Sequence, residues 1–596
     1  WIILKRMIRK YLVVTLLISL LIGLLLANRA AATALEEGSW TEAPIPSGLD
    51  LDLSTGAADR AATDPKLDSA LAGLVTSRDG HTTDLPGITM IAGRAQVQIV
   101  VLPENEAAAR LLVSQAGGKV TGAFDGLLQA WLPPEALPAL AAESTIEYIQ
   151  APNTMVPAET DAIAALTEGV AASGADTWQA AGWRGQGVRI AIIDGGFEGY
   201  PARLGSDLPA SVTVRNFVDG QTQAEVDGST RHGTACAEIV HDMAPEARLY
   251  LLKINTDVDL NEAVDYAISQ GVDIISTSLT FINVTPGDGT GRFATMAQKA
   301  RAAGILWTTA AGNYRQTHWS GAFTDADSDG FHEYAPGVEV NVFGPGNGTA
   351  YSIPAGIALT PSIRWNDWTA VNQDLRLVLL RHNGTSFDIV ATGNNTQSGL
   401  SGQRPTERIS YLTSGPAAVY GVAIQKVSVN RNIHLHLLTP NRNLDRQIPA
   451  MSLGNLADVA AVLTVAAVDA KTPFVRESYS SEGPTNGPGG APTGGFRKPD
   501  LAAFANVSTA SYGTRGFNGT SAATPHVAGA AALVLSTYPT AVPGEVQDYL
   551  QTTAIDQGLF GPDAQYGYGR LRLGAPLTPG NFPYHSFTPL VVTKTQ

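Results

Sequence analysis

Cysteine is nearly missing from this chain: Cys236 is the single one in 596 residues. No intrachain disulfide is possible, which removes the small stapled scaffolds. It does not argue against export, because a chain this long with 44% hydrophobic residues can bury a core that needs no covalent staple. Charge is sparse as well. Lys, Arg, Asp and Glu make up 16% of the residues and the formal net charge is −15, so no basic surface for a nucleic acid is offered. Neither His-Glu-x-x-His nor Gly-x-Ser-x-Gly occurs. Those two absences count against a helix-borne zinc site and against a strand-to-helix nucleophile elbow.

What is present divides the chain into segments of different texture. Residues 1–34 read as an export signal: Lys5, Arg6, Arg9 and Lys10 form a basic start, Tyr11 to Ala27 is uncharged and apolar, and Ala30 to Ala34 offers small residues for cleavage. The competing reading is an uncleaved membrane anchor, for which so short an apolar run is marginal. Residues 35–93 are rich in Ala, Gly, Ser, Thr, Asp and Pro with weak periodicity, the composition of a flexible lead-in. Residues 94–155 carry a sharper pattern that predicts a small α/β unit. From Trp178 onward, continuous apolar strands alternate with helical stretches. That alternation predicts a mostly parallel sheet with helices on both faces and chemistry at the carboxyl ends of its strands.

The chemistry-bearing residues fall in three short segments. Gly185-Gln-Gly-Val-Arg-Ile-Ala-Ile-Ile-Asp194 is an apolar strand ending in a carboxylate. His232-Gly-Thr-Ala-Cys-Ala opens an apolar helix. Asn518-Gly-Thr-Ser-Ala-Ala-Thr-Pro-His-Val-Ala-Gly529 is a glycine-bearing turn running into an all-apolar helix, with Ser521 where unpaired N–H groups and the helix dipole favour negative charge. Taken together and in this order, the three segments closely resemble those of the subtilisin-like serine peptidases, the subtilases. The resemblance covers Trp178 to about Ser320 and Asn455 to Ala575 strongly, the region before them moderately and the insert hardly at all.

The resemblance implies a subtilisin-like catalytic domain, residues 175–320 and 455–576, with Asp194, His232 and Ser521 as triad. Ser521 would attack the scissile carbonyl, His232 would take its proton, and Asp194 would orient the imidazole. Asn313, in Thr308-Thr-Ala-Ala-Gly-Asn313, matches the family's oxyanion-hole asparagine, and Ser278, Leu279, Ala311 and Gly312 match substrate-lining positions. Residues 94–155 would be an inhibitory propeptide that also aids folding, its tail lying in the cleft until it is cut between Pro152 and Ala175. An ordinary N-terminal domain is the alternative. The chain departs from the family pattern at Gly195, where Ser or Thr is usual, at Glu238, where glycine is usual, and at Ser276, where asparagine is common. His526, His434 and His436 are expected to be structural, and Cys236, one helical turn after His232, to pack as a small apolar residue.

Residues 321–445 interrupt the catalytic pattern. Segments such as Leu375-Arg-Leu-Val-Leu-Leu380 and Ala418-Val-Tyr-Gly-Val-Ala-Ile424 alternate or are β-branched between Gly, Asn and Ser turns, which predicts an inserted all-β sandwich. At its entry Asp325, Asp327 and Asp329 alternate before Gly330, a spacing of hard oxygen ligands that suits a structural calcium, with Glu333 as a further ligand; a solvated acidic turn is the alternative. No cofactor is needed for the chemistry. Residues 577–596 form a tail. The expected protein is a secreted serine endopeptidase made as a zymogen and acting on proteins or peptides, extracellular with cell-surface association as the alternative, and in contact with a membrane only if the N-terminal segment stays uncleaved. A narrow-specificity or exo-type peptidase, and a surface-binding protein with a weakly active protease domain, are the alternatives.

Overall fold

The computed structural model describes residues 41–46, 64–76, 88–156, 166–440 and 442–577. The expected signal segment, much of the lead-in and nearly all of the C-terminal tail lie outside these. Among the described residues no helix is long and apolar enough to cross a membrane.

Seven strands form a wholly parallel sheet: β1 (Arg189–Asp194), β2 (Thr213–Asn216), β3 (Arg248–Lys253), β4 (Ile274–Thr277), β5 (Leu306–Ala310), β6 (Leu463–Asp469) and β7 (Leu501–Ala505). Their spatial order is β7-β6-β5-β4-β1-β3-β2. Strands with apolar residues on both faces need cover on both. In β1, Ile190 and Ile192 join one core with helices α1 (His232–Met243), α4 (Gly519–Thr537) and α5 (Pro543–Thr553). Ala191 and Ile193 point the other way, into a second core with α2 (Asp257–Ser269) and α3 (Arg292–Ala302). The expected fold class, a parallel sheet with helices on both faces, is the fold observed. α4 is buried along its whole length, as its all-apolar sequence requires.

One helix boundary differs from the sequence reading. The segment Asp259-Leu-Asn-Glu262 suggests a capping box with Asp259 as N-cap, but α2 is capped three residues earlier. Thr256 is its N-cap, and Asp259 reaches back to the N–H groups of Asn255 and Thr256, both at 3.0 Å. An aspartate serves at N3 where glutamate was the expected partner.

Ahead of the parallel sheet, strands Met90–Ile91, Arg94–Val100, Lys119–Phe124, Leu127–Leu132 and Tyr148–Gln150 form an antiparallel sheet with its own core. That core also takes Leu67, Leu71 and Leu74, so the lead-in is not structureless throughout; it carries a helix at Ser69–Thr76. We refer to residues 64–156 as the N-terminal unit.

Between β5 and β6 two antiparallel sheets pack face to face. Leu375, Leu377 and Leu379 from one share a core with Ile363, Leu435 and Leu437 from the other. Glu42–Pro44 of the lead-in adds an edge strand to the first of these sheets, pairing antiparallel with Thr349–Tyr351.

Candidate active site

Asp194 closes β1 and its side chain is fully buried. His232 opens α1 and aims Nδ1 at both carboxylate oxygens, 3.0 Å from Oδ1 and 2.8 Å from Oδ2. Oδ1 also accepts from the N–H of Gly195. A carboxylate on Nδ1 selects the tautomer whose lone pair sits on Nε2, the nitrogen that can take a proton. The approach is close enough that a Cβ on Gly233 would lie 2.5 Å from Gly196 O and 2.7 Å from Asp194 Cβ; only glycine fits. Phe517 packs edge-on against the imidazole, centroids 5.5 Å apart.

Ser521 lies in the first turn of α4. Gly519, at φ +85°, lets the chain turn sharply out of the strand Gly513–Phe517 into the helix. Ser521 Oγ donates to the carbonyl of Ser278 at 3.0 Å, and Ser278 Oγ donates to the carbonyl of Ser521 at 2.9 Å. Asn313 follows β5. Its Oδ1 accepts from both the N–H and the hydroxyl of Thr520 at 2.9 Å, which orients the amide so that Nδ2 is its outward donor. The site thus gathers a base oriented by a buried acid, a hydroxyl at a helix N-terminus and an amide donor beside that hydroxyl.

Cys236 lies beneath this group. Its Sγ is 3.8 Å from Ser521 O, and within 4.8 Å of a carboxylate oxygen of Asp194 and a ring nitrogen of His232. Burial, and then the charge of Asp194, push the thiol well above its ordinary value, so it stays protonated.

The chain leaving the N-terminal unit runs into the cleft between the ends of β3 and β4. Asn153 O accepts from Asp257 N at 3.2 Å, Met155 N donates to Asn255 O at 3.0 Å, and Val156 N donates to Thr280 O at 3.1 Å. Bridges Thr154 to Thr256 and Val156 to Thr280 are antiparallel, so residues 153–156 form a strand inserted between two walls of the cleft. Met155 fills the space beside the triad. A Cβ on Gly195 would come 2.1 Å from Met155 Cε, the movable tip of that side chain.

The subtilase family model matches residues 185–569, well over half of the chain. This chain belongs to the subtilase family. It is similar to subtilisin E of Bacillus subtilis, 26% identical over 284 residues that cover 41% of this chain and 68% of that one. It is also similar to the subtilisin of Bacillus pumilus, 49% identical over 69 residues, 11% of this chain and 24% of that one. Among solved structures it resembles the Clostridium perfringens CspB protease, with TM-score 0.47 and 16% identity over 68% of this chain and 97% of that one. The protein is a serine-type peptidase.

Not every expected site residue of this subtilase faces the cleft in the same way. Leu279 is fully buried in the core under α2 and α3. Ala311 uses both backbone groups internally, N–H to Val465 and carbonyl to Gly454. Gly312 N donates to Thr520 Oγ1 at 3.2 Å. The backbone groups that hold the inserted strand, on Asn255, Asp257 and Thr280, were not among the expected residues, although all three follow directly on strand ends where ligands of such sheets sit. Glu238 ties α1 to the loop before the serine turn, accepting from Ser511 N and Oγ, and burial raises its carboxyl to about 7. His526 is buried, with Nδ1 on Ala522 O and Nε2 on Thr167 Oγ1. His436 pairs with His318 inside the inserted sandwich.

The carboxylates of Asp325, Asp327 and Asp329 form a separate cluster at the start of the insert, one oxygen of each within 4.8 Å of the others. Lys426 is ion-paired with Asp325, and Glu333 turns one oxygen to the N–H of Gly337.

Proposed function

We propose that this serine peptidase is an exported endopeptidase made as a self-processing zymogen. Asp194, His232 and Ser521 act as its triad and Asn313 as an oxyanion donor. The observation that carries this reading is the strand at residues 153–156: a covalently attached peptide lies between Asn255–Asp257 and Thr280, leading toward the Ser278–Ser521 pair. It occupies the path a substrate chain would take, and no substrate can enter until it leaves.

In the reaction Ser521 Oγ gives its proton to His232 Nε2 and attacks the carbonyl. The Asn313 amide and the Ser521 N–H stabilise the resulting oxyanion, and His232 then protonates the leaving amine. Asp194 stabilises the imidazolium formed on the way. Wild type and Ser521→Ala, compared by intact mass and then offered casein, test the reading. Wild type is expected to release a fragment ending between Pro152 and Ala175 and to digest casein, while Ser521→Ala stays whole and inert. Processing that persists in Ser521→Ala would overturn it.

Calcium belongs to the same proposal at Asp325, Asp327 and Asp329. Converging carboxylate oxygens are the donor set that cation takes, and the bound ion would brace the entry to the insert. A rise in Tm with added calcium, lost in Asp327→Asn, is the expected result.

A further inference from the structure

A cavity of about 340 Å³ opens beside the inserted strand, where the N-terminal unit, the sandwich and the loop after β4 meet. One wall is the chain from Tyr148 to Val156. Arg404 and Arg408 of the sandwich and Asn283 of the loop after β4 also line it. Along the strand Thr406–Arg408 the side chains alternate. Thr406 and Arg408 line the cavity, while Glu407 turns inward, fully buried, and accepts from Gln397 at 3.0 Å. Arg408 is anchored at the rim by a bond from its guanidinium to Ile282 O at 3.1 Å.

Arg404 and Arg408 both line this space, and among its described lining residues the only carboxylate is Asp68; the charge of Asp257 also reaches both arginines. Asp68 belongs to the N-terminal unit. Its carboxyl, raised by burial, is drawn back down first by the N–H of Ala70, at 2.8 Å, and then by the charge of Arg408, which shares the cavity with it. When the N-terminal unit leaves, Asp68 leaves with it. Arg292, nearby, is engaged by Asp257 at 2.6 Å. Arg404 and Arg408 then stand beside the upstream part of the cleft with Asp257, already paired with Arg292, as the carboxylate whose charge still reaches them, and planar guanidinium forks are well matched to a further carboxylate.

We propose that Arg404 and Arg408 form an upstream subsite with which the inserted sandwich selects peptides bearing an acidic side chain where Gln150–Pro152 now lie. The proposal rests on the reading that the inserted strand marks the substrate path. It gives the sandwich a role as a specificity wall, and Asp68 the role of filling that subsite before activation.

The test uses the mature enzyme and peptides spanning residues 148–175 of its own sequence, with glutamate or glutamine in place of Ala151. Wild type is expected to cleave the glutamate peptide about tenfold faster in kcat/KM, a preference that shrinks as salt rises. In the Arg404→Gln/Arg408→Gln double variant the ratio should fall to within about twofold. Equal cleavage by wild type, or an undiminished ratio in the double variant, overturns the proposal. Should neither peptide be cut, protection of Ser521 from a fluorophosphonate label reads the same preference without turnover. Protection by the glutamate peptide at about tenfold lower concentration supports the subsite, and equal protection refutes it. An enzyme that neither cuts casein nor takes the label would instead remove the underlying protease reading, and this proposal with it.

Discussion

Ser278 and Ser521 are bonded to each other twice, each hydroxyl donating to the other's carbonyl at 2.9 and 3.0 Å. A hydroxyl has one proton, so Ser521 must leave the Ser278 carbonyl before it can give that proton to His232. The reverse bond, Ser278 Oγ to Ser521 O, holds the first turn of α4 against the end of β4. Ser278→Ala keeps the carbonyl and loses this anchor. Its kcat/KM is expected to fall by about 3- to 10-fold, the worth of one hydrogen bond of roughly 0.5–1.5 kcal/mol. A loss beyond about 10³ would show that the hydroxyl takes part in the chemistry.

Asn313 is held by Thr520 through Oδ1, which leaves the donor end to serve the oxyanion. Asn313→Ala is expected to lower kcat by roughly 10²–10³ with little change in KM, the usual cost of one oxyanion donor. Asn313→Asp keeps the acceptor for Thr520 and removes the donor. If it retains wild-type kcat, the assignment of Asn313 is wrong.

Cys236 touches the carbonyl of Ser521 and lies under the acid–base pair. A mercurial small enough to reach it places a heavy atom beneath the triad. Inhibition by methylmercury, absent in Cys236→Ala, is the expected outcome. Iodoacetamide, which needs the thiolate, should act poorly because burial keeps the thiol protonated. Equal inhibition of Cys236→Ala would place the sensitive group elsewhere.

The contact between the N-terminal unit and α2 sets carboxylates against neutral amides. Gln129 donates to Asp259 and to Asp219, both at 3.1 Å, and Gln98 donates to Asp257 at 2.7 Å. Burial raises Asp259 to about 6, and burial with the charges of Asp259 and Asp219 raises Glu262 to about 7. Gly122 of the N-terminal unit lies against Glu262, so docking buries this carboxyl and the docked state holds extra protons there, while the Gln129 donor pulls Asp259 back down. Docking is therefore strongest below the ordinary carboxylate values, near pH 4, weakens as pH climbs to about 7, and is level above. Size-exclusion of the cleaved but unseparated enzyme across this range should show the unit retained at low pH and shed near neutrality. The dependence should flatten in Glu262→Gln, whereas a pH-independent elution would contradict it.

Gly195 leaves room for Met155 beside the triad. Gly195→Ser would drive a side chain into that methionine. The variant is expected to hold its N-terminal unit less tightly, seen as earlier release in the same size-exclusion assay. Pairing it with Met155→Ala should restore retention. Unchanged retention in the single variant would mean that the cleft tolerates the extra atoms.

Much of the catalytic domain was legible from local pattern. A continuous apolar run such as Ile190–Ile193 reads as a strand buried on both faces, and a helix with as few polar residues as α4 reads as central. Asp194, His232 and Ser521 stand at a strand end and two helix starts because those are the places where backbone N–H groups and exposed strand termini meet. The capping of α2 was misread because Thr and Asp serve there in the places scanned for Asp and Glu. The helix at Ser69–Thr76 was missed because its Ala- and Ser-rich sequence has little contrast between faces, and its burial depends on a sheet formed later in the chain.

The amino-acid sequence by itself determined the parallel α/β core, the order of the acid, base and hydroxyl, and the presence of an all-β insert, since each depends on periodicity and motif within a few tens of residues. Contacts between segments hundreds of residues apart were decided only by the tertiary structure. Residues 153–156 lie between Asn255 and Thr280, Asp68 shares a cavity with Arg404 and Arg408, Cys236 lies beneath Ser521, and Glu42–Pro44 completes a sheet of the insert. Such contacts come from which surfaces are complementary once each part has folded, and no local pattern records complementarity between distant surfaces.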